Sequence, residues 1–456
     1  MTDFRSVNPA TGETLQTFEP LGEDALEERL ERARRAFEAN RSASFSERSE
    51  RMERAAEVLE EGAQAYARLM TLEMGKPVEQ AVSEVEKCAW VCRHYAEHAG
   101  AYLSAEEVEA GAGRSYVRYR PLGPVLAVMP WNFPFWQVFR FAAPGLMAGN
   151  VALLKHAPNV PQCAVAIEGV FRKAGFGEGA FQNLFLEEDR VADVLADDRV
   201  RAATLTGSVG AGRAVAGEAG RRVKKTVLEL GGSDPFVVMP SADLEAALET
   251  AVDARVQNSG QSCIAAKRFV VHEDVADDFT RELVERMEGL EVGDPQSSDT
   301  EVGPLAREDL RATLRRQVEE SLEAGARRPL GGDPPDGPGW FYPPTVLTDV
   351  PPDAPARTEE LFGPVAVVVR AGGADEAAEL ANGTDFGLGA AVWTGEDAER
   401  SLFLDRLEAG VVAVNGMVAS DPRVPFGGVK ASGYGRELGR HGIREFVNVQ
   451  TVQLNR

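Results

Sequence analysis

The sequence predicts an α/β protein in which parallel sheets are covered by helices, arranged as two successive series. Three observations carry this. Apolar strands alternate with helical stretches from about residue 121, and a second alternating series runs from DPFVVMP (234–240) to about Val414. The length of 456 residues is also about three times the ~150-residue prior for one domain.

The elements follow in order. Residues 23–39 and 47–73 read as Glu/Arg/Ala-rich amphipathic helices, the second ending at Gly75-Lys76-Pro77, and a third helix covers about 78–100. From Tyr116 the pattern changes: YVRYRPLGPVLAVMP reads as two strands around the turn Pro121-Leu122-Gly123-Pro124. Then come VALLK, a helix over 159–174, FQNLF, a short helix, RAATLT, a helix over 209–220, and KKTVLEL. Near-continuous apolar strands of this kind belong to a parallel sheet buried on both faces. The second series carries helices near 243–258, 274–289, 306–324 and 396–408. The tail, 430–456, has a Gly-rich start and ends in the strand-like EFVNVQTVQL, while GGDPPDGPG at 331–339 reads as a surface loop. No internal repeat and no long linker is evident.

Composition bounds the function. With 44% hydrophobic and 27% charged residues, the chain is neither disordered nor fibrous. No apolar run reaches the ~18 residues of a membrane span, and the start, MTDFRSVNPATGE, lacks the apolar segment of a signal peptide. Four scattered cysteines make no disulfide framework, which fits a reducing cytoplasm. A net charge of −23, without a compensating basic run, argues against nucleic acid and membrane partners. Only 8 of the 49 cationic residues are lysine. That bias fits a salt-rich cytoplasm, and a GC-rich genome would produce it equally.

No G-x-G-x-x-G fingerprint occurs. The nearest feature is Leu205-Thr206-Gly207-Ser208-Val209-Gly210, closing a strand and opening a helix. Such a turn can face a phosphate with its unpaired N–H groups, or Ser208 can be an ordinary helix cap. Cys88, Cys92, His94 and His98 do not make a metal site. On a helix each pair spans about 40°, but the two pairs' centres lie about 120° apart, so the four cannot converge on one ion. Cys163, among Ala and Val, reads as core. Cys263 differs, because Asn258-Ser259-Gly260-Gln261-Ser262-Cys263-Ile264 is a small-residue loop with room for a substrate, where a thiol can act as a nucleophile or be structural. Glu229, at the end of an apolar strand and before two glycines, is either paired or functional, and desolvation would raise its pKa toward that of a useful general base. In Pro130-Trp131-Asn132-Phe133-Pro134 the prolines stiffen the turn, so Asn132 presents its amide at a strand's carboxyl end or bonds its own backbone.

Together these segments resemble the aldehyde dehydrogenase superfamily over nearly the whole chain: PWNFP at 130, LLK ending at Lys155, TGS at 206, LELGG at 228, GQSC at 260, ELFGP at 360 and PFGGVKASGYGRE at 425. The resemblance implies an aldehyde dehydrogenase-like fold of two doubly wound α/β domains plus a small β oligomerisation unit. The expected boundaries are 1–102 with 121–228 for dinucleotide binding, 229–425 for catalysis, and 103–120 with 426–456 for oligomerisation. It also implies roles. Cys263 would attack the aldehyde, Asn132 with the Cys263 backbone N–H would hold the oxyanion, and Glu229 would activate the hydrolytic water. Lys155 would bond the adenosine ribose, Gly207 and Ser208 would face the pyrophosphate, and Glu360 would hold the nicotinamide ribose with Phe362 beside it. Trp131 and Gly231 would shape the nicotinamide side.

Many NAD-preferring relatives carry Glu three residues after the lysine, where this chain has Pro158. Nothing there repels NADP, and beyond Lys155 only His156 offers itself to a 2′-phosphate, so NAD or NADP is expected without a preference. In PFWQVFRFAAP, Trp136 and Arg140 share a helix face, and an arginine in an otherwise apolar run suits a substrate carboxylate. This segment, KHAPNV and VASDPR are similar to the short bacterial branch of succinate-semialdehyde dehydrogenases, in which Trp136, Arg140 and Ser420 would line the substrate site. The expected reaction is NAD(P)-dependent oxidation of succinate semialdehyde to succinate. The alternatives are a broad-range aldehyde dehydrogenase, a cofactor-free thiol esterase, and a catalytically idle binding protein. The edge-strand character of EFVNVQTVQL adds the expectation of a homodimer or homotetramer.

Overall fold

The computed structural model describes residues 4–110 and 113–455. Its N-terminal part is helical. The stretch read as one helix over 47–73 is two, Phe45–Glu61 and Ala63–Met74, parted at Gly62. Gly62 itself has φ −104 and ψ 8, and the Tyr66 ring packs against it where a Cβ would lie, 2.5 Å away, so a larger residue there would have to displace that ring. The first of the pair starts on a capping box, with Ser44 Oγ accepting from the Glu47 N–H and Glu47 returning to the Ser44 N–H. An N-terminal hairpin, Phe4–Val7 with Thr14–Phe18, went unread because its exposed second strand lacks apolar alternation.

A six-stranded sheet runs in the order Phe181–Asn183, Val151–His156, Pro124–Met129, Ala202–Thr206, Lys225–Glu229, Gly433–Tyr434. The first five strands are parallel and the last joins antiparallel. From Pro124–Met129 the chain winds outward in one direction and then returns to wind in the other. The carboxyl ends of Pro124–Met129 and Ala202–Thr206 therefore flank a topological switch point, where open α/β sheets bind ligands. Gly433–Tyr434 falls in the tail segment that the sequence reading grouped with oligomerisation, yet it extends this sheet. Gly433 has φ +113, and a Cβ there would lie 2.0 Å from the Leu228 carbonyl oxygen, so only glycine lets this strand approach.

A seven-stranded sheet follows in the order Arg327–Leu330, Thr345–Thr348, Val365–Ala371, Ala266–His272, Asp234–Val238, Gly389–Trp393, Val411–Val414, parallel apart from its first strand. Its strands obey the period of two: Phe236, Val238, Phe269 and Val271 pack under one helical layer, while Val237, Val270 and Val392 pack under the other. The third sheet is antiparallel, ordered Val447–Leu454, Arg114–Pro121, Glu106–Val108, with Val447–Leu454 on its edge and mostly exposed.

The placement of the two large sheets matters most for function. Glu229 ends a strand of the first sheet and Asp234 begins a strand of the second, with only Leu230-Gly231-Gly232-Ser233 between them. Carboxyl ends of one sheet thus meet amino ends of the other. Among the described residues, no helix is long and apolar enough to cross a membrane.

Candidate active site

Cys263 sits just before the strand Ala266–His272, at the end of a loop that leaves the helix Leu244–Val256 through a strained turn. Asn258 and Ser259 both adopt φ +54, a left-handed conformation unusual for non-glycine residues, and Gly260 follows at +74. Tertiary bonds hold that strain. Buried Arg255 donates to the carbonyls of Gly260 (2.8 Å), Gly363 (2.8 Å) and Ala266 (3.0 Å). Asn258 donates to the carbonyls of Asn132 (2.7 Å) and Gln261 (3.0 Å). Lys267 Nζ donates to the carbonyls of Ser262 (2.8 Å) and Cys263 (2.6 Å). The loop is therefore rigid, and Cys263 at its end is only partly buried. Burial pushes the Cys263 thiol up to about 12, against the pull of Arg140 and Lys267.

Asn132 follows the strand Pro124–Met129 at the switch point, and its Nδ2 donates to the Gln261 carbonyl (3.1 Å). An amide has two such protons, so one remains for a ligand. Glu229 is buried, and among the described residues neither carboxylate oxygen has a hydrogen-bond partner. Gly427 packs against it so closely that a Cβ there would lie 2.7 Å from Oε1. Burial raises the Glu229 pKa well above the carboxylate range; nearby Arg140 opposes the shift and Glu437 adds to it. Of the two options read from sequence, Glu229 is the unpaired one.

Glu360 Oε1 accepts from the Gly232 N–H (2.9 Å) and faces Lys267 Nζ at 3.6 Å. A Cβ on Gly231 would lie 2.5 Å from Glu360 Oε2, which is why glycine stands there. Trp131 and Phe362 meet edge-on at 5.7 Å. At the far side of the switch point Lys155 and Ser208 line an open cleft of about 450 Å³ with Glu188 at its rim. Lys155 is buried and, among the described residues, has no hydrogen-bond partner, with Glu188 Oε1 at 3.9 Å. A buried ammonium aimed into an open cleft suits a polar ligand such as a dinucleotide ribose. Ser208 Oγ also caps its helix, accepting from Ala211 N–H at 3.2 Å, so the bland reading of that serine holds as well.

Two expectations need correction. The Gly207 N–H donates to the Glu229 carbonyl (3.0 Å) and is not free for a phosphate. His156 is buried, with Nε2 on the Pro134 carbonyl (2.9 Å) and Nδ1 accepting from the Ala157 N–H (2.9 Å). Burial lowers its pKa to about 4, so a neutral, fully engaged ring offers nothing to a 2′-phosphate.

Trp136, Arg140 and Ser420 line one chamber with Cys263. Its volume of about 170 Å³ lies below the ~300–1,000 Å³ of drug-sized sites and suits a short substrate. Trp136 Nε1 donates to Ser420 Oγ at 3.1 Å. Arg140, the arginine that seemed to need a ligand, already has a protein partner. It forms a buried ion pair with Glu437, bonds Thr206 Oγ1 at 3.4 Å and lies over the Phe426 ring. Sequence reasoning missed Glu437 although it closes the motif PFGGVKASGYGRE. It also missed Lys267, four residues after Cys263, and Lys87, whose position on the helix Val78–Tyr102 puts it in the chamber wall. On that same helix Cys88 and Cys92 are core residues, and the His94 and His98 rings meet edge-on at 4.6 Å.

Comparison with known proteins gives a consistent picture. The chain matches the Aldehyde dehydrogenase family over residues 1–452. A probable NADP(+) succinate-semialdehyde dehydrogenase of Synechocystis sp. is 54% identical over 447 residues, 98% of either chain. An NADP(+) succinate-semialdehyde dehydrogenase of Mycobacterium tuberculosis is 55% identical over 450 residues, again 98% of each. The crystal structure of succinic semialdehyde dehydrogenase from Streptococcus pyogenes with NADP+ superposes with a TM-score of 0.97 at 35% identity, covering 99% of this chain and 100% of that one.

Proposed function

The chain belongs to the aldehyde dehydrogenase family, and we propose that it oxidises succinate semialdehyde to succinate with a nicotinamide dinucleotide. The observation that supports this most directly is the rigid Cys263 loop, with the short chamber on one side and Lys267 and Glu360 on the other. Cys263, as thiolate, adds to the aldehyde carbonyl carbon. The oxyanion formed is held by the free Asn132 amide proton and the Cys263 backbone N–H; one such donor contributes about 2.7–4 kcal/mol. The bound dinucleotide supplies the hydride acceptor. Once hydride has left that carbon, Cys263 carries the acyl group as a thioester. Glu229 then takes a proton from water as the water oxygen attacks the acyl carbon, releasing the acid and restoring the cysteine.

Lys155 and Ser208 would hold the adenosine half of the dinucleotide. Glu360, backed by Lys267, would hold the nicotinamide ribose, with Trp131, Gly231 and Phe362 shaping its pocket. Gly207 would lie beside the pyrophosphate without its own N–H as a donor, since that N–H is held by the Glu229 carbonyl. Pro158 carries no charge to repel a 2′-phosphate, and the relatives at 54–55% identity are named for NADP(+), which supports NADP use here, with NAD as the second cofactor. We read Trp136, Arg140 and Ser420 as the substrate walls. We keep the division into a dinucleotide-binding part (1–102, 121–228), a catalytic part (229–425) and an oligomerisation part (103–120, 426–456), the last donating Gly433–Tyr434 to the first sheet. The unpaired edge of Val447–Leu454, with Val449 and Leu454 exposed, supports assembly as a homodimer or homotetramer. A thiol that must stay reduced supports a cytoplasmic location.

Initial rates of NAD(P)H formation with succinate semialdehyde and with propanal, each with NAD and NADP, test the reading alongside Cys263→Ala. Cysteine-dependent turnover favouring succinate semialdehyde is expected. Equal rates on propanal would leave a generalist, and absence of turnover with every pair would overturn the assignment.

A further inference from the structure

Of the charged side chains that line the chamber beside Cys263, Glu84 and Arg140 are each held in an ion pair and Lys87 is not. Glu84 pairs with Lys76 and also accepts the N–H groups of Phe135 and Trp136, each at 2.9 Å. Arg140 pairs with Glu437, and Asp421 pairs with Arg423 at 2.5 Å. Lys87 has no carboxylate within ion-pairing distance among the described residues. Its Nζ donates to Ser420 Oγ at 3.0 Å and lies 4.5 Å from the centre of the Trp136 ring. This leaves a single uncompensated positive charge on the chamber wall of a protein whose net charge is −23.

The hydrogen-bond count at Ser420 points the same way. Its oxygen accepts from both Lys87 Nζ and Trp136 Nε1. A hydroxyl has two lone pairs and one proton. With both lone pairs engaged, the proton is free to donate into the chamber, next to the two remaining protons of the ammonium. Among the described residues no protein acceptor takes these remaining protons in a hydrogen bond, which is the arrangement a carboxylate completes.

We propose that Lys87, with the Ser420 hydroxyl, holds the distal carboxylate of the substrate and supplies its counter-charge, while Arg140, neutralised by Glu437, forms a wall of the chamber. The proposal rests on the reading of the substrate as an ω-carboxylated aldehyde. Lys87 reaches the chamber because Gln80, Ser83, Glu84 and Lys87 stand at i, i+3, i+4 and i+7 of the helix Val78–Tyr102, one face of which lines it.

The test compares succinate semialdehyde with butanal, which has the same carbon count and no carboxylate, in wild type, Lys87→Met and Lys87→Arg. Loss of one partner of a desolvated charge pair predicts a fall of about 100-fold in kcat/KM for the semialdehyde in Lys87→Met, carried by KM. Butanal should stay within about twofold, and Lys87→Arg should recover most of the loss. A wild-type preference for the semialdehyde that survives Lys87→Met would overturn the proposal and leave the proposed reaction standing. Equal loss on both aldehydes would also overturn it, in favour of a structural lysine. If wild type itself shows no preference, the substrate reading fails and the proposal with it.

A pH series on wild type reads the same charge without mutation. Burial, the largest cause, with Arg140 adding to it, holds the Lys87 ammonium at about 8; Glu84 and Cys88 on its own helix and Asp421 across the chamber act in the opposite direction. The ammonium is charged below that value. The semialdehyde-to-butanal ratio of kcat/KM should therefore fall as pH rises through 8, and a ratio flat with pH would count against Lys87.

Discussion

The dinucleotide cleft and the aldehyde chamber are built in opposite ways. Lys155 stands near the end of Val151–His156 and Ser208 just after Ala202–Thr206, two strands of one parallel sheet that flank Pro124–Met129, and the cleft between them follows from strand order. The chamber instead takes Lys87 from the N-terminal helices, Trp136 and Arg140 from a helix after the switch point, Cys263 from the second sheet and Ser420 from a late loop. Local signals in the chain therefore point to Lys155 and Ser208 together, although they do not show that the Gly207 N–H and the His156 ring are already bonded. They describe the chamber one wall at a time and leave its charge balance undefined, which is how Arg140 reads as available until Glu437 is seen against it.

Three perturbations sharpen this contrast, and the largest effect should come from Glu229→Gln. Removing a general base lowers turnover by about 10²–10⁴-fold. A rapid-quench measurement should then show one equivalent of NAD(P)H formed quickly, followed by slow release of acid. An unchanged steady-state rate would remove Glu229 from the mechanism. Since burial holds the Glu229 and Cys263 pKa values up, the wild-type rate should rise with pH as both lose protons, and the rising limb should simplify in Glu229→Gln.

Arg140→Met comes next. It leaves Glu437 as an uncompensated buried charge, and breaking such a pair destabilises by about 3–5 kcal/mol. Because the pair joins the helix Trp136–Met147 to the tail, the loss should appear as a lower midpoint in urea unfolding. An unaltered midpoint would mean that Arg140 is not committed to Glu437. Lys155→Ala, on the cleft side, should have the smallest effect. A hydrogen bond to a charged group contributes about 1.5–3 kcal/mol, so KM for the dinucleotide should rise by about tenfold or more while the aldehyde KM stays put. A shift in the aldehyde KM of equal size would show that the two regions are not separable.

Most of the regular elements were legible in the sequence because buried parallel strands are nearly continuous apolar runs and their covering helices keep a 3.6 period. VALLK, RAATLT and DPFVVMP announce themselves in this way. The helix break at Gly62 was not legible, since an isolated glycine is tolerated inside a helical pattern. The exposed hairpin Phe4–Val7 with Thr14–Phe18 lacked any periodic signal.

By itself the sequence determined the alternation of strands and helices, the glycines needed where Glu360 and Leu228 approach backbone, and the chemical identity of Cys263, Glu229 and Asn132. Those are properties of short segments, fixed by local sterics and side-chain chemistry. Only the tertiary structure decided which charges are spent. It matched Arg140 to Glu437, took the Gly207 N–H and the His156 ring away from any phosphate, and, among the described residues, gave Lys87 a hydroxyl, Ser420, rather than a carboxylate. Ion pairing and hydrogen-bond saturation depend on groups from 22 residues apart (His156 and Pro134) to 333 apart (Lys87 and Ser420) meeting within a few ångströms, and no local pattern in the chain encodes that meeting.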